Sequence, residues 1–174
     1  MTIEIIERAP RHHIVKVPIE KPRLGGEFWI DVVRASGKVE DRIHAPNLIV
    51  DAGIKQLGDI LTNNEVTDLD LSFIEPGEGT ATPLITDTDI NDPLDPADRL
   101  AATAQTRSST TPFEVVISAF ITSIKYTRPQ TITELAVYFA DDPSGTMFAR
   151  GKLDTPIILN SSDTATISYG ILFR

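Results

Sequence analysis

The chain contains no cysteine, one tryptophan, two methionines and three histidines in 174 residues. Without cysteine there are no disulfides and no thiolate chemistry, a composition that suits folding in a reducing cytoplasm. Nucleophilic catalysis is further limited by the lack of a Gly-x-Ser-x-Gly elbow. Any triad would have to recruit His12, His13 or His44. His12 and His13 are adjacent, so in an extended segment they point to opposite sides, and no second cluster supplies further ligands at zinc spacing. Pro76-Gly77-Glu78-Gly79-Thr80 has the glycines of a phosphate loop but lacks the Gly-Lys-Ser/Thr that grips phosphate and magnesium, so it reads as a turn. No apolar run approaches the roughly 20 residues of a membrane helix. Met1–Pro10 carries Glu4, Glu7 and Arg8 and lacks the apolar stretch of a signal peptide.

What is present is ordinary for a globular domain: 41% apolar and 24% charged residues, with a net charge of −9. That balance argues against direct nucleic-acid binding, which needs clustered Lys and Arg. The charge is uneven. Residues 1–24 carry Arg8, Arg11, Lys16, Lys21 and Arg23 against Glu4, Glu7 and Glu20, a net +2, which leaves −11 on the rest. A basic segment joined to an acidic body suits docking on a neighbouring copy, and the five basic residues are the candidate interaction set.

Prolines 10, 18 and 22, followed by Gly25-Gly26, predict an extended N-terminal arm over 1–25. Residues 26–174 form the second unit. Phe28, Ile30 and Val32 alternate on a strand, and Ala35-Ser36-Gly37-Lys38 turns it back over Val39–His44. The apolar spacing of Val50, Ile54, Leu57, Ile60 and Leu61 predicts a helix at about 49–62. A short strand over Leu69–Ile74 precedes a long acidic loop at about 75–99, rich in Pro, Gly, Thr and Asp. From Phe113 onward the pattern is strands: Phe113–Thr122, Ile132–Phe139, Met147–Leu153, Pro156–Leu159 and Thr164–Phe173, separated by turns at Asp141–Gly145 and Asn160–Asp163. The aromatic residues fall mainly in these strands, where packing is their default role. The expected fold is mainly β: an antiparallel β-sandwich, jelly-roll-like, with one short helix and the extended arm.

Within the acidic loop, Asp87, Asp89, Asn91, Asp95 and Asp98 stand at positions 1, 3, 5, 9 and 12 of a calcium-loop pattern. Position 6 is Asp92 where a sharp turn needs Gly, and position 12 is Asp98 where a longer bidentate Glu is usual. Pro93 and Pro96 stiffen the loop, and no helix leads into it. These departures argue against an EF-hand. A looser calcium site remains a candidate beside the preferred reading, in which these side chains cap turns. No cofactor is expected.

Two stretches together resemble small structural proteins of tailed bacteriophages. The first is Gly26-Glu27-Phe28, Ala35-Ser36-Gly37-Lys38 and Asn47-Leu48-Ile49-Val50-Asp51-Ala52-Gly53. The second is Ile132-Thr133-Glu134-Leu135-Ala136-Val137-Tyr138-Phe139, Gly145-Thr146-Met147-Phe148-Ala149-Arg150 and Ser161-Ser162-Asp163-Thr164. Between them, Gly77-Glu78-Gly79-Thr80 and Thr86-Asp87-Thr88-Asp89 are similar to that group's loop. The resemblance covers about residues 26–174. It implies a non-enzymatic virion protein, assembled in the host cytoplasm, that binds its own copies and other virion proteins as a capsid decoration (cement) or neck, tail or fibre-base subunit. A carbohydrate- or receptor-binding module on a viral appendage is the alternative. Neither reading involves a membrane.

Overall fold

The computed structural model describes residues 4–7, 13–16, 24–40, 43–62, 70–94, 99–108, 113–122, 129–141 and 145–173. The elements in chain order are β1 (Glu4–Glu7), β2 (His13–Lys16), β3 (Leu24–Val33), β4 (Ile43–Ile49), α1 (Asp51–Thr62), β5 (Phe73–Gly77), β6 (Leu100–Ser108), β7 (Phe113–Thr122), β8 (Gln130–Tyr138), β9 (Met147–Leu159) and β10 (Thr164–Phe173). Within the stretch expected to be an arm, β1 and β2 pair antiparallel with each other, Glu4 opposite Lys16 and Glu7 opposite His13.

The remaining eight strands close into an antiparallel barrel in the order β10-β3-β4-β9-β8-β5-β6-β7, with β7 pairing back to β10. The expected sandwich is therefore wrong. The reason lies in two strands that change partners midway. Ile43–Pro46 of β4 pair with β3, and Asn47–Ile49 pair with β9. Leu100–Ala101 of β6 pair with β5, and Ala102–Ser108 pair with β7. Each acts as a corner joining what would otherwise be two separate sheets. Pro46 lies inside β4 at its corner, opposite Glu27. Likewise, the two strands expected around Pro156 are one long strand, β9.

The barrel is filled by side chains, as expected for eight strands. Phe28, Ile30 and Val32 of β3, Ile117, Ala119 and Ile121 of β7, and Ala165, Ile167 and Tyr169 of β10 all point inward and are buried. Tyr169 packs against Phe28 with the rings tilted at 47° and 4.6 Å between centroids, and meets Phe148 edge-on at 6.2 Å. Its hydroxyl accepts a 2.8 Å bond from Asn47 Nδ2 at the β4 corner. A side chain at Gly26 would collide with that hydroxyl, a Cβ there lying 2.1 Å from it. Outside the barrel, Trp29 is only 5% exposed. Its ring lies over Gly170 of the neighbouring strand, and a Cβ at that glycine would meet it at 2.8 Å.

Helix α1 packs on β9 through Gly53, whose approach to the Phe148 backbone leaves no room for a side chain. The expected apolar face is only partly buried. Leu57 and Ile60 turn inward, whereas Ile54 is 51% and Leu61 79% exposed.

The turn from β9 to β10 is tied to the β3 end. Asp163, 2% exposed, accepts bonds from Asn160 N at 2.9 Å, Ala35 N at 3.0 Å and Arg34 Nη1 at 2.7 Å. Burial pushes this carboxyl up, but the bonds from Asn160, Arg34 and Ala35 outweigh it and hold the pKa at about 2, below the ordinary 3.8. A carboxyl whose pKa is lowered in the folded state stabilises the fold above its unfolded pKa and loses that contribution as the pH falls. The melting temperature should therefore drop between about pH 4 and pH 2. Asp163→Asn should lower it at neutral pH and flatten this part of the profile, as thermal unfolding at stepped pH would measure.

Candidate functional site

The most polar buried region lies on the outer wall of β8 and β9, under the loop between β5 and β6. Both faces of β8 are buried. Leu135, Val137 and Phe139 belong to the barrel core, while Ala136 and Tyr138 join Val50, Ile90 and Met147 in a second apolar cluster outside it. The pairing of β8 with β9 shifts between Ile132 and Glu134. Such a bulge re-aims side chains. Ile132 and Leu135 both point inward, so Thr133 and Glu134 between them are turned to the outer side.

Glu134 is 0% exposed and Arg150, opposite Ala136 on β9, is 1% exposed. Arg150 donates to Glu134 Oε2 through Nε at 2.9 Å and Nη2 at 2.5 Å, and to Asp87 Oδ2 through Nη1 at 2.6 Å. The other oxygen of Glu134 accepts the backbone N–H groups of Asn91 at 3.0 Å and Asp92 at 3.1 Å. Thr133 donates its hydroxyl to Gly79 O at 2.7 Å. Lys152 reaches Thr80 O. Gly79 is required here, because a Cβ would sit 2.0 Å from Glu134 Oε1. Burial works against the charge of Arg150, but its bonds to Asp87 and Glu134 prevail and hold its pKa above the ordinary value.

A second cation lies beside the first group. Arg99, 6% exposed, donates to Glu75 Oε2 at 3.0 Å and to Ala140 O at 2.8 Å, and its guanidinium lies 3.5 Å over the Tyr138 ring. Tyr138 donates to Asp89 Oδ1 at 2.5 Å. Burial, reinforced by that bond to a carboxylate, raises the tyrosine pKa far above its usual value, so the phenol stays a neutral donor. Burial also raises the Glu75 pKa, against the pull of Arg99.

These contacts fasten the loop along its whole described length. Leu94 N bonds to Pro76 O at 3.0 Å and Glu78 N to Asp92 O at 2.7 Å, so the returning strand of the loop covers the edge of β5. Asp87 closes a turn: its Oδ2 accepts Leu84 N at 2.8 Å, and its own N–H donates to Leu84 O at 3.0 Å. That turn holds Leu84 and Ile85 outward, 59% and 48% exposed. Ile85 O accepts Asp51 N at 2.9 Å, tying the turn to the first residue of α1.

In this arrangement the buried carboxylates and guanidinium groups are engaged by one another. Glu134 is sealed from solvent with both oxygens engaged, and Asp87 and Asp89 are engaged by Arg150 and Tyr138. Of the calcium candidates, Asp87 and Asp89 therefore face cations and a phenol, and Asn91 contributes its backbone N–H. Asp95 and Asp98 lie outside the described residues. Among the described residues no group of three or more His, Asp or Glu is placed to hold a metal. Of the basic interaction set, Lys16 ends β2, and Arg8, Arg11, Lys21 and Arg23 lie outside the described residues, as does His12. His44 pairs with Glu27 at 2.7 Å on the outer surface.

No known protein family, curated protein or solved structure matches the chain. The geometry nevertheless gives the motifs a physical meaning. Gly77 and Gly79, Asp87 and Asp89, Thr133 and Glu134, and Arg150 stand far apart in sequence and meet in this one network. Asp51 and Gly53 of the helix motif meet its edge. Sequence reasoning missed Arg150, Glu134, Arg99 and Glu75. The available signal was an oppositely charged pair, Glu134 and Arg150, each set among apolar residues in successive strands.

Proposed function

We propose that this protein is a non-enzymatic structural subunit of a tailed virus particle, which associates with its own copies and with other virion proteins. One observation carries the assembly reading. A long loop is anchored by buried ion pairs, yet its fastened turn presents Leu84 and Ile85 to solvent, next to a helix that presents Ile54 and Leu61. Rigidly held apolar side chains on a surface mark sites of protein contact. The assignment to a virus particle rests on the order and spacing of the motifs given above, and the network of ion pairs that fastens the loop, here called the clasp, supplies a structural reason for those residues to occur together.

Light scattering on the purified chain over a range of concentrations tests the assembly reading. A mass of several chains is expected. Leu84→Asp with Ile85→Asp should lower that mass while leaving the melting temperature within a few degrees, since changes at exposed positions rarely exceed about 0.5 kcal/mol. A single-chain mass for the unaltered protein at every concentration would overturn the reading.

A further inference from the structure

Two of the strand edges that have no neighbour among the described residues bear on association. The first belongs to the β1–β2 hairpin, whose strands pair only with each other. A two-stranded sheet is marginal in water and needs a third strand or a packed face to persist. The second edge is on the barrel. β6 pairs with β5 only through Leu100 and Ala101, and the last bond between the two segments runs from Ala102 N to Ser72 O at 2.7 Å. From Thr103 to Ser108, β6 is paired with β7 on one side and with no described strand on the other. Exposed edges are normally guarded by Lys, Pro or a bulge pointing away. Thr103, Ala104, Gln105 and Thr106 carry no charge and no proline, and the guards on this edge, Arg107 and the register shift between Thr106 and Ser108, stand only at its far end.

The chain leaves a space at this same edge. A cavity of about 540 Å³ opens between β6 and α1, with Leu57, Ile60, Leu71 and Phe148 among its walls and Asp70 at its margin. Barrel interiors are otherwise packed to near-crystal density. A strand laid along β6 would cover this cavity and project every second side chain to its side. Both strands of the hairpin suit that role. β1 contains Ile5-Ile6 and β2 contains Ile14-Val15, so alternation places an apolar residue on either face of whichever strand pairs. Residues 1–24 as a whole are net +2 against −11 for the rest, although β1 and β2 themselves carry Glu4 and Glu7 against Lys16.

We propose that the β1–β2 hairpin of one copy adds to the β6 edge of the next copy and seats an apolar side chain in the cavity beside it. This rests on the self-association reading and names its donor and acceptor. The two surfaces differ, so the contact is either exchanged reciprocally within a pair or repeated head-to-tail, which builds a ring where the rotation closes.

The absence of cysteine allows a clean test in the full-length chain. Val15→Cys and Thr103→Cys are made singly, mixed in equal amounts and oxidised mildly. The expected result is a disulfide-linked band of two chains in the mixture, weak or missing with either variant alone, together with a lower multimer mass in Ile14→Pro. A multimer that gives no such band and keeps its mass in Ile14→Pro overturns the proposal but leaves self-association standing. A Val15→Cys, Thr103→Cys double variant that links within single chains overturns it in favour of the chain's own hairpin. A single-chain mass for the unaltered protein overturns both this proposal and the reading beneath it.

Discussion

Arg150→Met should cost about 3–5 kcal/mol of folding stability, the range for breaking a buried ion pair from one side. The substitution keeps most of the side-chain volume and removes every bond Arg150 makes. It leaves the Glu134 carboxylate 0% exposed with two backbone N–H donors and no countercharge. Domains of this kind are stable by only about 5–15 kcal/mol, so the urea midpoint should fall steeply or the chain should fail to accumulate. The loop should be released as well, with protease cutting within residues 78–94 at concentrations that spare the unaltered chain. Adding Glu134→Gln should restore part of the loss, because a neutral amide tolerates burial without a cation far better than a carboxylate does. If Arg150→Met costs less than about 1 kcal/mol, within the range of an exposed pair, the ion pairs do not fasten the loop.

Gly53→Ala and Gly58→Ala should have opposite signs although both sit in α1. Helix propensity alone predicts that each gains up to about 1 kcal/mol. At Gly58 a Cβ meets nothing within 4 Å, so the gain should be realised. At Gly53 a Cβ would lie 2.5 Å from Phe148 O and 2.6 Å from Phe148 Cα, both backbone atoms of β9 that cannot rotate away. The helix would have to lift off the barrel, which disturbs the Val50 N to Phe148 O and Asp51 N to Ile85 O bonds at its start. A loss of about 1–3 kcal/mol is expected, the usual cost of overpacking. Chemical denaturation of the two variants side by side would show the contrast. Stabilisation by both would mean that α1 is not held against β9 at this distance.

Much of the inward face was legible in the sequence. Phe28, Ile30 and Val32, and Ala165, Ile167, Tyr169 and Ile171, alternate as half-buried strands do, and the structure buries them. Closure was not legible. Alternation reports which side of a strand is apolar and is the same in a sandwich and a barrel, whereas closure depends on Asn47 and Ala102 pairing with different strands from their own neighbours. The helix was readable from its 3.6-residue period, but Ile54 and Leu61 satisfy that period and still face solvent, because α1 is offered only one wall to cover. The clasp was hidden for a related reason. Asp87 and Asp89 attract attention as an acidic cluster, and their counterions Arg150 and Arg99 stand 63 and 10 residues away along the chain, brought to them by the fold.

The central claim is that this chain is a stoichiometric building block of a virus particle, held together by its own copies and its neighbours. Counting the chain by quantitative mass spectrometry in purified particles tests that most directly. The account predicts a fixed number of copies per particle, a multiple of the oligomer that the hairpin contact builds, retained through density-gradient purification. Recovery of the chain only from the soluble fraction of infected cells, with none in purified particles, would contradict it.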